Sequence, residues 1–243
     1  MNQIMVPNVL ISTGWCAQNE GHNNPLRSKL QNESTYLGSV WLPYILKQIE
    51  PGAINIYVSK CDTPPATGLL RCNNLNVVWS HRDARKLAYR HDWSASIISG
   101  AAYAMANDMD LLYVEQDCLA YGLADIVRYA QTSSPAMMYG FGDNASWAPG
   151  WAENSLTFVS SKLLPPFIWA MNEIRNCTDG DVKFEHAFHN VLMAGELSEY
   201  FHPWPFGCGR KRPVPFDQEN FYAQQLTDED LDGFLTKLYK SNE

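Results

Sequence analysis

The chain has 243 residues, 46% of them apolar and 12% aromatic, which is enough to bury a full core and excludes disorder as its main state. Charged residues are only 18% and the net charge is −8, opposite in sign to a general nucleic-acid binder, so no nucleic-acid partner is expected. An anionic ligand would have to be met by a local concentration of the 18 Lys and Arg.

The N-terminal MNQIMVPNVLISTGW has no basic n-region and no apolar stretch of signal-peptide length. No apolar run approaches the roughly 18 residues of a membrane span, so a soluble cytoplasmic protein is expected. Cys16, Cys61, Cys72, Cys118, Cys177 and Cys208 form no CxxC pair, which excludes a zinc-ribbon or redox signature and leaves reduced thiols as the simplest reading. The N-x-S/T sequons at Asn32, Asn144 and Asn176 are no more than chance supplies.

In chain order, Asn8–Thr13 reads as a β-rich run ending in Gly14, and 18–34 as a polar loop. Leu37, Val40, Trp41, Tyr44 and Ile45 recur at helical spacing, with Pro43 kinking the helix or delaying its start. Ile54–Ser59 and Leu75–Ser80 read as strands. Asp92 is placed to cap a helix whose one face carries Trp93, Ile97, Ile98, Ala101, Ala102 and Met105. Leu111–Val114 is the fourth strand, Leu123–Ala130 a short helix and Ala136–Phe141 the fifth strand. Ser155–Ser160 reads as a strand, and Pro166–Ile174 and Glu185–Ala194 as helices. Residues 202–217 hold four of the 14 prolines and read as an irregular loop. Thr227 and Asp230 form a capping pattern ahead of Leu231, Phe234, Leu235 and Leu238. Strands alternating with helices imply an α/β fold with a mostly parallel sheet. No linker is visible, so 1–243 reads as one domain, with halves at 1–130 and 131–243.

The sharpest chemical feature is LLYVEQDCLAYG, residues 111–122. An apolar strand runs straight into two carboxylates at i and i+2, and strand alternation would put Glu115 and Asp117 on one side. The carboxyl end of a parallel strand is where open α/β sheets bind ligands. Two oxygen donors there suit Mn²⁺ or Mg²⁺, with water and phosphate oxygens completing the shell.

The Ala-rich helix followed by MDLLYVEQDCLAYG resembles the centre of a GT-A glycosyltransferase, where a hydrophobic strand ends in the D-x-D motif; here the motif is E-x-D. The resemblance covers roughly residues 8–160. It implies a single-domain GT-A-like (Rossmann-like) fold with an irregular C-terminal part. It also implies a nucleotide-diphosphate sugar donor, and a carbohydrate or glycoconjugate acceptor. The half at 1–130 would bind the nucleotide sugar and the half at 131–243 the acceptor. Asp117 would be a metal ligand, and Glu115 would contact metal or donor. Thr13, Gly14 and Asp62, at or just after the first two strand ends, would line the same donor site.

Seven of the 18 cations fall in two short segments. Arg82, Arg85, Lys86 and Arg90 precede the Ala-rich helix, and the resemblance carries diphosphate binding to Arg85 or Arg90. Arg210, Lys211 and Arg212 follow Gly207 and Gly209 in HPWPFGCGRKRP, where glycine lets backbone approach phosphate and cations neutralise it. That segment resembles the late H-x-x-G-x-x-K-P of some retaining GT-A enzymes, which implies His202 as a further metal ligand and Lys211, with Arg212, as phosphate contacts. FGDNASWAPGWAENS places Trp147 and Trp151 beside carboxylates, an arrangement typical of sugar binding. A general base would come from Glu185, Asp143 or Glu153, with Asp181 also in range. His186 and His189 read as structural.

These features favour a metal-dependent glycosyltransferase. A sugar-phosphate nucleotidyltransferase is disfavoured because the first strand is followed by STGWCAQNEGHNN rather than a Gly-rich basic signature. A non-catalytic carbohydrate-binding protein on the same fold is the third reading.

Overall fold

The computed structural model describes residues 4–15, 35–58, 74–79, 89–133, 136–141, 152–176, 184–193, 196–207 and 209–240. The elements are β1 (Ile4–Trp15), α1 (Leu42–Gln48), β2 (Ile49–Val58), β3 (Leu75–Trp79), α2 (Tyr89–Ala106), β4 (Asp110–Val114), β5 (Cys118–Tyr121) and α3 (Leu123–Thr132). They continue as β6 (Met137–Phe141), β7 (Ala152–Val159), α4 (Leu164–Asn176), α5 (Phe184–Met193), β8 (Phe201–Pro203), β9 (Phe221–Gln224) and α6 (Asp228–Lys240).

Seven strands form one sheet in the order β3-β2-β1-β4-β7-β6-β8, and β5 and β9 form a small second sheet. Strands β3, β2, β1 and β4 are mutually parallel, β6 and β8 are parallel, and β7 runs antiparallel to both neighbours. Helices cover both faces. Tyr44 and Ile45 of α1, Ile126 and Val127 of α3, and Phe234 and Leu238 of α6 pack with Val9, Ile11, Ile54 and Leu112. Ile97 and Ala101 of α2, Phe167 and Met171 of α4, and Phe188 of α5 pack with Leu10, Leu111 and Val159 on the other face. Coverage on both sides explains why the leading strands are apolar throughout. One row of polar side chains crosses three strands inside: Asn55 Nδ2 donates to Ser12 Oγ (3.1 Å) and Asn76 Nδ2 to Asn55 Oδ1 (2.8 Å).

As read, Pro43 delays the start of α1, and a π-helical turn, Leu37–Trp41, precedes it; this is how the helical stripe accommodates the missing proline N–H. Three local expectations change. Asp92 is not a cap, because α2 already begins at Tyr89. The buried face of α2 is Ser94, Ile97, Ala101 and Ala104, while Ala102 and Met105 are exposed. The cause is close approach. A Cβ on Gly100 would lie 2.6 Å from Ser12 Cβ, and one on Gly14 would lie 2.8 Å from Ser96 Oγ. The helix therefore presents its small residues to the sheet. Finally, the stretch read as an irregular loop opens with the short strand β8, and β5 and β9 are short strands where no element was read. The α6 capping pattern forms as read: Asp230 N–H donates to Thr227 Oγ1 (3.1 Å) and Thr227 N–H to Asp230 Oδ2 (3.2 Å).

Among the described residues no helix is long and apolar enough to cross a membrane, and the one cysteine, Cys118, is buried and outside any disulfide.

Two predictions follow from the packing. Gly100→Ala gains about 1 kcal/mol of helix propensity but drives a methyl group into Ser12. The net result is a loss of about 1–3 kcal/mol, seen as a lower urea midpoint at unchanged slope. His189 of α5 is half-buried, and burial holds its imidazole below the ordinary value of 6.5. The neutral form is the one the fold prefers. Its contribution is therefore complete above about pH 6.5 and is lost as pH falls through the lower folded value. Urea midpoints measured between pH 7.5 and 5 should fall less steeply for His189→Gln.

Candidate functional site

The chain leaves β1 towards β2 on one side, and β4 later settles on the other side of β1. The connections use opposite faces, α1 on one and α2 on the other. The carboxyl ends of β1 and β4 thus flank a topological switch point, the position at which open α/β sheets leave a ligand crevice. Strand β1 pairs with β4 up to Ser12 opposite Tyr113, so Gly14 and Glu115 come next on neighbouring strand ends.

Strand β4 stops at Val114, one residue before Glu115. Residues 115–118 close a tight turn in which the Cys118 N–H donates to the Glu115 carbonyl (3.0 Å). Strand alternation therefore does not orient the carboxylate pair, as the sequence pattern implied; the turn holds both at the strand end. Glu115 is tied to β7 twice. Its N–H donates to Ser155 O (2.9 Å), and its Oε1 accepts from Asn154 Nδ2 (2.8 Å). Asp117 is only 4% exposed, and its carbonyl accepts from the Gln225 N–H (3.1 Å). Burying a carboxylate this far is unfavourable unless it is hydrogen-bonded, paired or metal-bound.

The basic Gly/Pro segment comes to this turn through β9. Cys118 pairs with Gln224 and Leu119 with Ala223, while Gly209 bridges Ala223 from the other side. Two strand spacings, about 10 Å, separate Gly209 from Leu119. Lys211 is exposed there. Arg212 is committed elsewhere. Its Nε donates to Asp230 Oδ2 (2.7 Å), Nη1 to Lys211 O (2.9 Å), and Nη2 to Gln224 O (3.2 Å) and Gln225 O (3.0 Å).

Other candidates separate. His202 sits on β8, exposed and opposite Met138 of β6. It lies three strands from β4, about 14 Å across the sheet. Among the described residues no three His, Cys, Asp or Glu side chains form a metal-sized group, so His202 does not join the carboxylate pair. Thr13 is fully buried, its hydroxyl on the Gly14 carbonyl (3.3 Å), and the space beside Gly14 is filled by Ser96 and Tyr113. Thr13 is thus packed inside the sheet, and Gly14 leaves room for α2 against it. Arg90 lies in the first turn of α2, Glu185 in the first turn of α5, and Glu153 in β7 opposite Gly140. Strand β6 ends at Phe141, paired with Ala152 at the start of β7, on the same edge as Glu115. Asp62, Arg85, Asp143, Trp147, Trp151 and Asp181 lie outside the described residues.

Asn154, Gln225 and the β9 strand were not anticipated. FYAQ at 221–224, with two aromatics, carries a strand signal. Asn154 carries none, because its role depends on β7 lying beside β4.

No family model matches the sequence, and no curated protein sequence does. Among solved structures, the chain is similar to one provisionally named a nucleotide-diphospho-sugar transferase, from Desulfovibrio desulfuricans G20. That likeness has a TM-score of 0.51 at 8% identity and covers 82% of this chain and 80% of that one. A glycosyltransferase involved in glycosylating the major capsid of PBCV-1 aligns with a TM-score of 0.49 at 11% identity, over 93% of this chain and 98% of that one. At such identities the likeness is one of fold. The mixed sheet with helices on both faces is that of the first of these structures, and the chain has a GT-A-like fold, the fold of nucleotide-diphospho-sugar transferases.

Proposed function

We propose that the protein is a metal-dependent glycosyltransferase that moves a sugar from a nucleotide-diphosphate donor to an acceptor hydroxyl. The observation that carries this reading is the Glu115–Asp117 turn at the β1/β4 switch point. It places two carboxylates where this sheet topology opens its ligand crevice.

The donor set fits Mn²⁺ or Mg²⁺. Two carboxylates without a third protein ligand among the described residues match an ion that keeps water and substrate-phosphate positions open. Asp117 and Glu115 would hold it, and a bound ion would neutralise charge on the leaving diphosphate. Asn154 Nδ2 holds Oε1 of Glu115 in place at the strand end. Lys211 stands exposed on the segment that β9 carries to the turn, and it would share the diphosphate charge as a point cation. Arg85 and Arg90, before and at the start of α2, are the second cation source for the donor.

The acceptor would enter from the β6–β7 edge, where Trp147 and Trp151 lie in the segment joining Phe141 to Ala152. Asp143 belongs to the same stretch of sequence, and Glu153 lies near the start of β7 opposite Gly140. Strand β7 ends at the opposite edge and β8 begins there, so α4 carries the chain towards the Glu115 edge and α5 back again. Glu185 lies in the first turn of α5 and would be the third candidate. The general base comes from these three carboxylates.

A thermal-shift series with UDP, GDP and dTDP, with and without Mn²⁺, tests the reading. A ligand at a hundredfold its Kd stabilises the native state by about 2.7 kcal/mol, roughly 5–10 °C in a chain of this size. The expected result is a metal-dependent shift for at least one nucleotide in the wild type and its loss in Asp117→Ala. A wild-type Tm that no nucleotide moves, or a full shift in Asp117→Ala, would defeat it. Stabilisation by free sugar without any nucleotide effect would point to a carbohydrate-binding protein.

A further inference from the structure

We propose that Arg212 is a positioning residue for the Glu115–Asp117 turn, acting through Gln225 rather than contacting phosphate. The inference rests on that turn being the donor and metal site.

The guanidinium has five N–H donors, and four are spent on this protein: one on Asp230, one on the Lys211 carbonyl, and both Nη2 hydrogens on the Gln224 and Gln225 carbonyls. One donor on Nη1 remains, too few for the bidentate phosphate fork that makes arginine valuable in such sites. What the side chain grips is informative. Gln225 has φ of 54°, the left-handed region that a non-glycine residue adopts only when its surroundings enforce it. It directly follows β9. Its carbonyl is held by Arg212, and its N–H donates to the carbonyl of Asp117 (3.1 Å). One residue earlier, the Gln224 carbonyl takes the same Nη2, and the Gln224 N–H donates to Gly209 O (3.0 Å). The arginine thus clamps the reversal at 224–225 from outside, and the reversal clamps the carboxylate turn from below. Asp230 completes the chain. It pairs with Arg212 and caps α6 through Thr227, so the clamp is anchored to a helix packed in the core.

In this arrangement Arg212 sets where Asp117 stands, and Lys211 beside it is the cation left for the diphosphate. Arg212→Lys keeps a charge for Asp230 but cannot reach two adjacent carbonyls at once. It should behave as Arg212→Ala does while remaining folded.

The test uses two readouts on the full chain. First, Mn²⁺ is titrated alone and with UDP, GDP and dTDP, and the free ion is followed by its EPR signal. Arg212→Lys and Arg212→Ala should weaken Mn²⁺ binding at least tenfold. Leu238→Ala, a core truncation in the same helix α6, should stay within twofold of wild type although it is less stable. Second, amide hydrogen exchange at Gln225 should accelerate at least tenfold in both arginine variants and not in Leu238→Ala. Wild-type Mn²⁺ affinity in the arginine variants, or unchanged Gln225 exchange, would overturn the proposal. If the wild type itself binds no Mn²⁺ under any of these conditions, the glycosyltransferase reading fails. Gln225 exchange then still decides whether the Arg212 clamp exists.

Discussion

The pairing of β4 against β1 is the interaction on which the rest of this molecule depends. Strand β1 is buried from Val9 to Thr13 and has one neighbour already, β2, on its other side. Its remaining edge must be satisfied by backbone hydrogen bonds, since a buried unpaired edge would leave a row of unmet donors and acceptors. Strand β4 fills it over Asp110–Tyr113. That one choice reverses the direction in which strands are added, splits the helices between two faces, and sets Glu115 next to the end of β1.

The same pairing requires α2 to cross the sheet close to β1 and β4. Glycine and serine make this possible. Gly100 sits on Ser12, Gly14 leaves room for Ser96, and Ser96 Oγ and Tyr113 Oη meet at 2.8 Å. A helix buried through large apolar side chains would stand further off. The low hydrophobic contrast between the faces of this helix is thus a consequence of tight packing. Beyond β4 the chain abandons the parallel pattern. Strand β7 runs antiparallel and supplies Asn154 and Ser155 to Glu115. The late strand β9 then brings the basic segment to the far side of the carboxylate turn.

Elements with local signals were legible. Apolar runs bounded by polar residues located β1 to β4, β6 and β7, and the Thr227–Asp230 capping pattern located the start of α6, because each depends on residues within a few positions of one another. Strands of three or four residues were not. Cys118–Tyr121 and Phe221–Gln224 pair with each other across a hundred residues, and runs this short carry little periodicity of their own. The carboxylate pair was found from the strand that leads into it. Its orientation was assigned to strand alternation, whereas a turn determines it. His202 and Lys211 are nine residues apart and were read as one segment; folding leaves His202 on the sheet edge and Lys211 near the turn. Arg212 was grouped with Lys211 by composition, and its partners separate the two.

The order and type of the main elements, the α/β class and the E-x-D motif at a strand end were determined by the amino-acid sequence alone. They follow from short-range periodicity, capping chemistry and the abrupt change from apolar to charged residues at 114–115. Tertiary structure decided which strands became neighbours, which cations reached the carboxylates and which were consumed in holding the chain. Those outcomes depend on hydrogen-bond donors and acceptors meeting across long sequence separations, as when the Asp117 carbonyl meets the Gln225 amide, and no local pattern encodes such a meeting.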